Sequence, residues 1–315
     1  MQVLVSIQCI TFNHKDYLAQ ALDSFLMQNT SFEFEVIVHD DCSTDGTTEI
    51  LRDYAAKYPD RIRPLYEVEN QWKLTGMKPV FSKMTHMSRG KYIAYCEGDD
   101  FWQDPLKLQK QVDAMEGQPG ASLCYTGFQV VDNDGKPFFN EVYERRNRIG
   151  RSGEIFFDLL QENFILTPTT LFKKEVFLSQ IYTNTPLRLD YFAFLSAAAI
   201  GSAIYLPERT ACYRQSPNGA MATQLPWVKE KFLAIREYFL MAYATGQIRK
   251  PWSVSSLQAK IEAWNMAIRK KMAGDDTCFL ELNKSCELPA LYYVVALLQV
   301  KWQNWNYNHK HKKKQ

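Results

Sequence analysis

The sequence predicts an α/β fold: a mostly parallel sheet flanked by helices, followed by a C-terminal helical extension. Three observations carry this expectation. In the first half, short apolar runs alternate with segments whose apolar residues recur every three to four positions, the pattern of βαβ units. Two of those runs, Glu35-Val36-Ile37-Val38 and Tyr92-Ile93-Ala94-Tyr95, end in acidic clusters. Carboxylates at strand C-termini in such a sheet face the crevice where ligands bind. After Pro226 the pattern turns helical throughout.

Taken in order, residues 3–9 read as an apolar strand. Tyr17, Leu18, Ala21, Leu22 and Phe25 then fall at helical spacing within 16–28. Residues 34–38 form the next strand, and Asp45-Gly46-Thr47-Thr48 opens a helix that Pro59 stops. Strands follow at 61–66 and 92–96, and Pro105 begins a helix through Leu106, Leu108, Val112 and Met115. Residues 121–131 are strand-like and end in the turn Asp132-Asn133-Asp134-Gly135. Residues 136–153 are polar, carry the basic run Arg145-Arg146-Asn147-Arg148, and read as a loop beside the cleft. Elements resume at 154–160, 169–173 and 190–200, with two short strands near 203–206 and 211–214. This places one domain at 1–225 and a helical region with a basic tail at 226–315.

Composition narrows the class. The net charge of +2 gives no bias toward nucleic acid, and the basicity is local to the C-terminus. The seven cysteines lack Cys-x-x-Cys spacing, which argues against zinc and for a reduced compartment. No secretory signal is legible after Met1, and no apolar stretch reaches the roughly 18 to 20 residues a bilayer span needs. Residues 9–16 contain no glycine, so the dinucleotide fingerprint is absent, as is the P-loop motif. A sugar-nucleotide pyrophosphorylase would need a glycine-rich N-terminal loop, which is also missing.

The chemistry concentrates in the acidic clusters. Asp40 and Asp41 exceed what capping the next helix requires, so one of them is expected to meet a ligand, whereas Asp45 suits a cap. Glu97, Asp99 and Asp100 lie within four residues and repel one another unless a cation sits between them. Hard divalent cations prefer such oxygen donors. Gly98 lets the backbone approach a ligand closely. His14 and His39 read as structural polar residues.

Three stretches together resemble a family 2 glycosyltransferase of the GT-A fold, bacterial surface-polysaccharide type. They are Val5-Ser6-Ile7-Gln8-Cys9-Ile10-Thr11-Phe12-Asn13-His14, His39-Asp40-Asp41-Cys42-Ser43-Thr44-Asp45-Gly46-Thr47, and Gly90-Lys91-Tyr92-Ile93-Ala94-Tyr95-Cys96-Glu97-Gly98-Asp99-Asp100-Phe101-Trp102. The resemblance covers roughly residues 1 to 220. It implies that Thr11, Asn13, Asp40, Asp41 and Asp99 contact the nucleotide, and that Asp100, Asp99 and Glu97 hold Mg²⁺ or Mn²⁺. It implies a catalytic base at Asp190, which otherwise reads as a helix N-cap, and a phosphate-facing charge at Arg214. Asn70-Gln71-Trp72 departs from the Asn-x-Gly usual in the family after the third strand.

The expected activity is inverting transfer of a sugar from a nucleotide-diphosphate sugar, UDP-sugar favoured, to an acceptor hydroxyl of a glycan or lipid-linked glycan. A non-catalytic nucleotide-sugar or glycan-binding module on the same fold is the alternative. The 290–305 helix carries Tyr292, Tyr293, Trp302 and Trp305 ahead of Lys310, Lys312, Lys313 and Lys314. Aromatic side chains with adjacent lysines suit a membrane interface, although a core helix with a solvated basic end has the same pattern. The expected location is cytoplasmic, peripheral at the inner face of the membrane.

Overall fold

The computed structural model describes residues 2–75, 78–184 and 190–215, with a few positions between 234 and 248. The chain divides into two compact units, Met1–Ile235 and Arg236–Gln315. The boundary expected near 225, the aromatic helix at 290–305 and the lysine tail lie outside the described residues.

The first unit is built on an eight-stranded sheet. Its strands are β1 (Val3–Thr11), β2 (Glu33–Asp40), β3 (Ile62–Tyr66), β4 (Tyr92–Tyr95), β5 (Phe101–Trp102), β6 (Ala121–Val131), β7 (Thr170–Lys173) and β8 (Ser202–Arg214), in the spatial order β3-β2-β1-β4-β7-β6-β8-β5. The helices of the first half are α1 (Leu18–Leu26), α2 (Thr47–Lys57), α3 (Gln71–Leu74), α4 (Lys78–Met87) and α5 (Lys107–Gly117). Those of the second half are α6 (Glu141–Ile149), α7 (Phe156–Gln161), α8 (Glu175–Leu178), α9 (Gln180–Thr183) and α10 (Asp190–Ile200).

The first four strands pair in parallel, as the βαβ alternation requires. Val5, Ile7 and Cys9 of β1 and Val36 and Val38 of β2 are fully buried, because helices cover both faces of such a sheet. On α1, Leu18, Ala21, Leu22 and Phe25 all turn inward, each large side chain contributing about 1.5–3 kcal/mol by burial. Phe25 meets the Trp102 ring edge-on at 4.9 Å, which ties this helix to the segment after the second acidic cluster.

Beyond β4 the sheet is mixed. β7 runs antiparallel to both β4 and β6, β8 runs parallel to β6, and β5 pairs antiparallel with β8. Three local expectations change. The two short strands near 203–206 and 211–214 are one strand, β8, whose register slips around Gly127. At Gly127 any Cβ would approach the Pro207 carbonyl oxygen to 2.7 Å. The loop read at 136–153 contains α6, capped by Asn140, whose Oδ1 accepts from Val142 N at 3.1 Å. The stretch between β3 and β4, to which the sequence assigned no element, holds α3 and α4.

Candidate functional site

Parallel register brings the strand ends together. Thr11 pairs with Asp40 across β1 and β2, Asp41 N donates to Thr11 O at 3.0 Å, and Gly98 N donates to Ile10 O at 2.9 Å. The loops after β1, β2 and β4 therefore meet at one edge of the sheet. Gly98 is required there, because a Cβ would sit 2.7 Å from Thr11 Oγ1. Thr11 Oγ1 itself is buried without a partner.

The loop after β2 is stitched down by its own carboxylates. Asp40 accepts from Ser43 N at 3.1 Å and from the Thr48 hydroxyl. Asp41, also buried, accepts from Gln71 N at 2.6 Å and Trp72 N at 3.2 Å, the first amides of α3. Asn70 caps that short helix, accepting from Lys73 N at 2.9 Å, and donates to Asp41 O at 3.2 Å. Asp45 accepts from Lys15 N at 3.1 Å and Thr47 N at 3.0 Å. Burial pushes the Asp45 carboxyl up, but the Thr47 and Lys15 hydrogen bonds outweigh it and hold the group below its ordinary value. Asn13, at φ 55°, completes the stitch: its N donates to Ser43 Oγ and its Oδ1 accepts from Thr44 N, both at 2.9 Å.

The loop after β4 is built the other way. One carboxylate oxygen each from Glu97, Asp99 and Asp100 lies within 4.8 Å of the others. Asp100 is buried; its Oδ1 accepts from Arg214 N at 2.7 Å, and its Oδ2 has no partner. Burial, then the charges of Asp99 and Glu97, push the Asp100 carboxyl well above its ordinary range. Burial and the charges of Asp99 and Asp190 push Glu97 up to about 8. Glu97 keeps accessible surface although protein surrounds it, as a residue on a concave wall does. An all-oxygen donor set with a buried, partnerless oxygen fits a hard divalent cation, which would satisfy that oxygen and relieve the repulsion.

Asp190 opens α10, with Oδ1 accepting from Tyr191 N at 2.7 Å and Oδ2 from Thr167 Oγ1 at 3.1 Å. Its carboxyl is raised, by burial against the opposing pull of the Tyr191 amide, Thr167 and Arg146. The charge of Asp190 acts on Glu97, which links the start of α10 to the acidic floor.

Arg214 departs from the expectation of a phosphate-facing charge. It is buried, with Nε donating to Asp99 O at 2.8 Å, Nη1 to Asp132 O at 3.0 Å and Asn133 O at 2.6 Å, and Nη2 to Gln20 Oε1 at 2.7 Å. Its guanidinium also lies 4.5 Å from the Tyr17 ring centroid. Four of its five N–H directions are spent on protein groups, so it is a clamp on the Asp99–Asp100 loop. No motif marked Thr167, which hydrogen-bonds Asp190, or Arg146, whose charge acts on it; only the basic run at 145–148 hinted at the second.

A mixed α/β sheet, parallel in its first half, with an acidic triad at the end of its fourth strand is the GT-A arrangement. The model of the family described as Glycosyl transferase family 2 matches residues 6–179, more than half of the chain, and the chain belongs to that family. Uncharacterized protein Rv1520 of Mycobacterium tuberculosis is 35% identical over 217 residues, 68% of this chain and 60% of that protein. The chain thus spans about 60% of the length of the mycobacterial relatives it matches. The putative teichuronic acid biosynthesis glycosyltransferase TuaG of Bacillus subtilis is 28% identical over 258 residues, 78% of this chain and 97% of TuaG. Among solved structures, S. aureus TarS superposes with a TM-score of 0.55 at 17% identity, covering 76% of this chain and 39% of TarS. Its 1–349 fragment with UDP gives 0.53 over 75% of this chain and 64% of the fragment. The fold is GT-A.

Proposed function

We propose that the protein transfers a sugar from a nucleotide-diphosphate sugar to an acceptor hydroxyl with inversion at the anomeric carbon. The observation that carries this reading is the Glu97, Asp99 and Asp100 cluster, with its partnerless Asp100 oxygen and with the charge of Asp190 acting on Glu97. A Mg²⁺ or Mn²⁺ ion held by those three carboxylates would supply Lewis-acid stabilisation of the leaving diphosphate. Thr11, Asn13, Asp40 and Asp41 form the floor under the nucleoside, and the Asp99 carboxylate also faces it. Asn13 and Asp40 do so by fixing the loop; Thr11 Oγ1 keeps an unused hydrogen-bonding position for the ligand.

Asp190 accepts the proton of the acceptor hydroxyl as its oxygen attacks the anomeric carbon, opposite the departing nucleoside diphosphate. Single displacement from that face inverts the configuration. Thr167 fixes the carboxylate, and its raised pKa brings it nearer the range where a general base works well. Membership of a glycosyl transferase family and the teichuronic acid biosynthesis role that TuaG carries in its name support a place in surface polysaccharide or glycolipid synthesis. No helix among the described residues is long and apolar enough to cross a membrane. We place the enzyme at the cytoplasmic face of the membrane, held through the aromatic residues and lysines of positions 292–314.

A melting-temperature panel of UDP, GDP, dTDP and CDP with Mn²⁺ tests the donor reading, since a ligand of the native state raises apparent stability by mass action. A rise with one nucleotide, UDP first, is expected only when Mn²⁺ is present. No rise with any of them would overturn the reading.

A further inference from the structure

The cations around α6 are neutralised one by one. Arg145 pairs with Glu162, Arg148 with Glu141, Arg151 with Asp158 at 3.1 Å, and Arg209 with Glu144 at 2.6 Å. Asn147 bolts the helix to β6, accepting from Phe128 N at 3.1 Å and donating to Phe128 O at 3.0 Å. Arg146 stands apart: among the described residues it has neither a hydrogen bond nor an ion pair. It is half-buried, and its guanidinium carbon lies 5.1 Å from the centroid of the Tyr143 ring. That ring is 5.3 Å from Tyr213, the neighbour of Arg214, whose backbone N–H binds Asp100. A continuous wall of side chains thus runs from the acidic floor through Tyr213 and Tyr143 to Arg146.

Arg146 closes this wall, its guanidinium over the Tyr143 ring. Its charge acts on Asp190, whereas the cation that acts on Asp100 is Arg214. A guanidinium stacked on an aromatic ring keeps its planar fork rigid and offers paired N–H donors to a carboxylate or phosphate. Asp190, Glu97, Asp99 and Asp100 would repel an acidic acceptor, and a cation beside the base offsets that repulsion.

We propose that Arg146 is a specificity residue that grips an anionic group, carboxylate or phosphate, on the acceptor sugar beside the hydroxyl that Asp190 deprotonates. The proposal rests on the glycosyltransferase reading above. It predicts an enzyme that extends acidic glycans in preference to neutral ones.

The test uses the full chain with Mn²⁺ and saturating UDP, and measures binding of three probes by calorimetry: octyl glucoside, octyl glucuronide and octyl glucoside phosphate. The expected result is at least about tenfold tighter binding of one or both acidic probes than of the neutral one. The tighter acidic probe identifies the anion as carboxylate or phosphate. Arg146→Ala should erase the preference, Arg146→Lys should keep part of it, and Arg148→Ala should leave it intact. UDP affinity should be the same in all variants. Equal binding of the three probes by the wild type, or a preference that survives Arg146→Ala, overturns the proposal. A fall in UDP affinity in Arg146→Ala also overturns it, by assigning the arginine to the donor. Failure of every nucleotide to bind is a separate result, which defeats the glycosyltransferase reading; the probes are then compared with Mn²⁺ alone, and the same outcomes decide.

Discussion

In the loop after β2, Asp40, Asp41 and Asp45 give their oxygens to hydroxyls and backbone amides. In the loop after β4, Glu97, Asp99 and Asp100 face one another, and the buried Oδ2 of Asp100 has no hydrogen-bond partner. Both loops are acidic, both follow a buried strand, and both border the same crevice. The difference lies in how much of each carboxylate the protein has already used. A carboxylate accepting two amide hydrogens is content in the folded chain and shapes a surface. One pressed against two others is strained until something cationic arrives, and that strain is available for binding.

The comparison can be broken most forcefully at the floor. Replacing Asp99 and Asp100 together by asparagine should lower transfer by about 10⁴-fold or more, since several kcal/mol of charge stabilisation are lost at 1.36 kcal/mol per decade. The melting temperature without Mn²⁺ should not fall, because like-charge repulsion is relieved. Turnover near wild type in a donor-consumption assay would place the cation elsewhere. Next comes Asp190→Asn, expected to lower kcat by about 10²- to 10³-fold, with UDP affinity unchanged. A variant that kept its rate would move the base to another group.

A gentler probe is pH. Glu97 and Asp100 hold protons that a cation must displace, so Mn²⁺ affinity should climb as pH rises toward about 8 and level off above it. The sign for stability is opposite. A carboxyl whose folded pKa is raised binds its proton more tightly folded than unfolded. Cation-free protein should therefore lose stability from the ordinary value of 4.5 up to about 8, and Mn²⁺ should reverse the trend. Mn²⁺ titrations at several pH values would read this, and an affinity flat with pH would show that no proton is displaced.

The smallest effects belong to the loop after β2. Asp41→Ala leaves the Gln71 and Trp72 amides without their acceptor and should cost about 1–3 kcal/mol of stability. Nucleotide affinity should weaken more than kcat falls, because this carboxylate lies away from Asp190. Denaturant unfolding with UDP titration checks both. Unchanged stability and unchanged affinity would mean Asp41 neither holds α3 nor shapes the nucleotide floor.

The parallel half was legible from residues alone, because Val5, Ile7, Val36 and Val38 sit in runs too apolar and too short to be anything but buried strands. The helix α3 was not, since Trp72 and Leu74 are exposed and leave no inward stripe to detect, and α4 turns only the short stripe of Val80 and Met84 inward. The helix α6 buries Tyr143 alone, so its stretch reads as a polar loop. The reversal of β7 has no local signature, because strand direction is set by the path of the chain and not by composition. At the site, residue types announced two acidic loops. Which carboxylates were already spent depended on Gln71, Trp72 and Thr48, whose backbone or hydroxyl hydrogens carry no pattern in the sequence. For Arg214 the family resemblance implied a phosphate ligand, while its side chain is spent on the carbonyls of Asp99, Asp132 and Asn133 as a brace.

That brace has a consequence for the order in which the molecule becomes competent. The Asp100 carboxylate is fixed by the backbone of a residue 114 positions later in the chain. During synthesis at about 5–20 residues per second, the acidic loop emerges roughly 6 to 23 s before its anchor exists. The first four strands can pair in that interval, yet the loop they present has no Arg214 to hold it. A half-made chain is therefore a sheet with an unset trigger, and its acidic cluster takes its final shape only when β8 arrives to hold it.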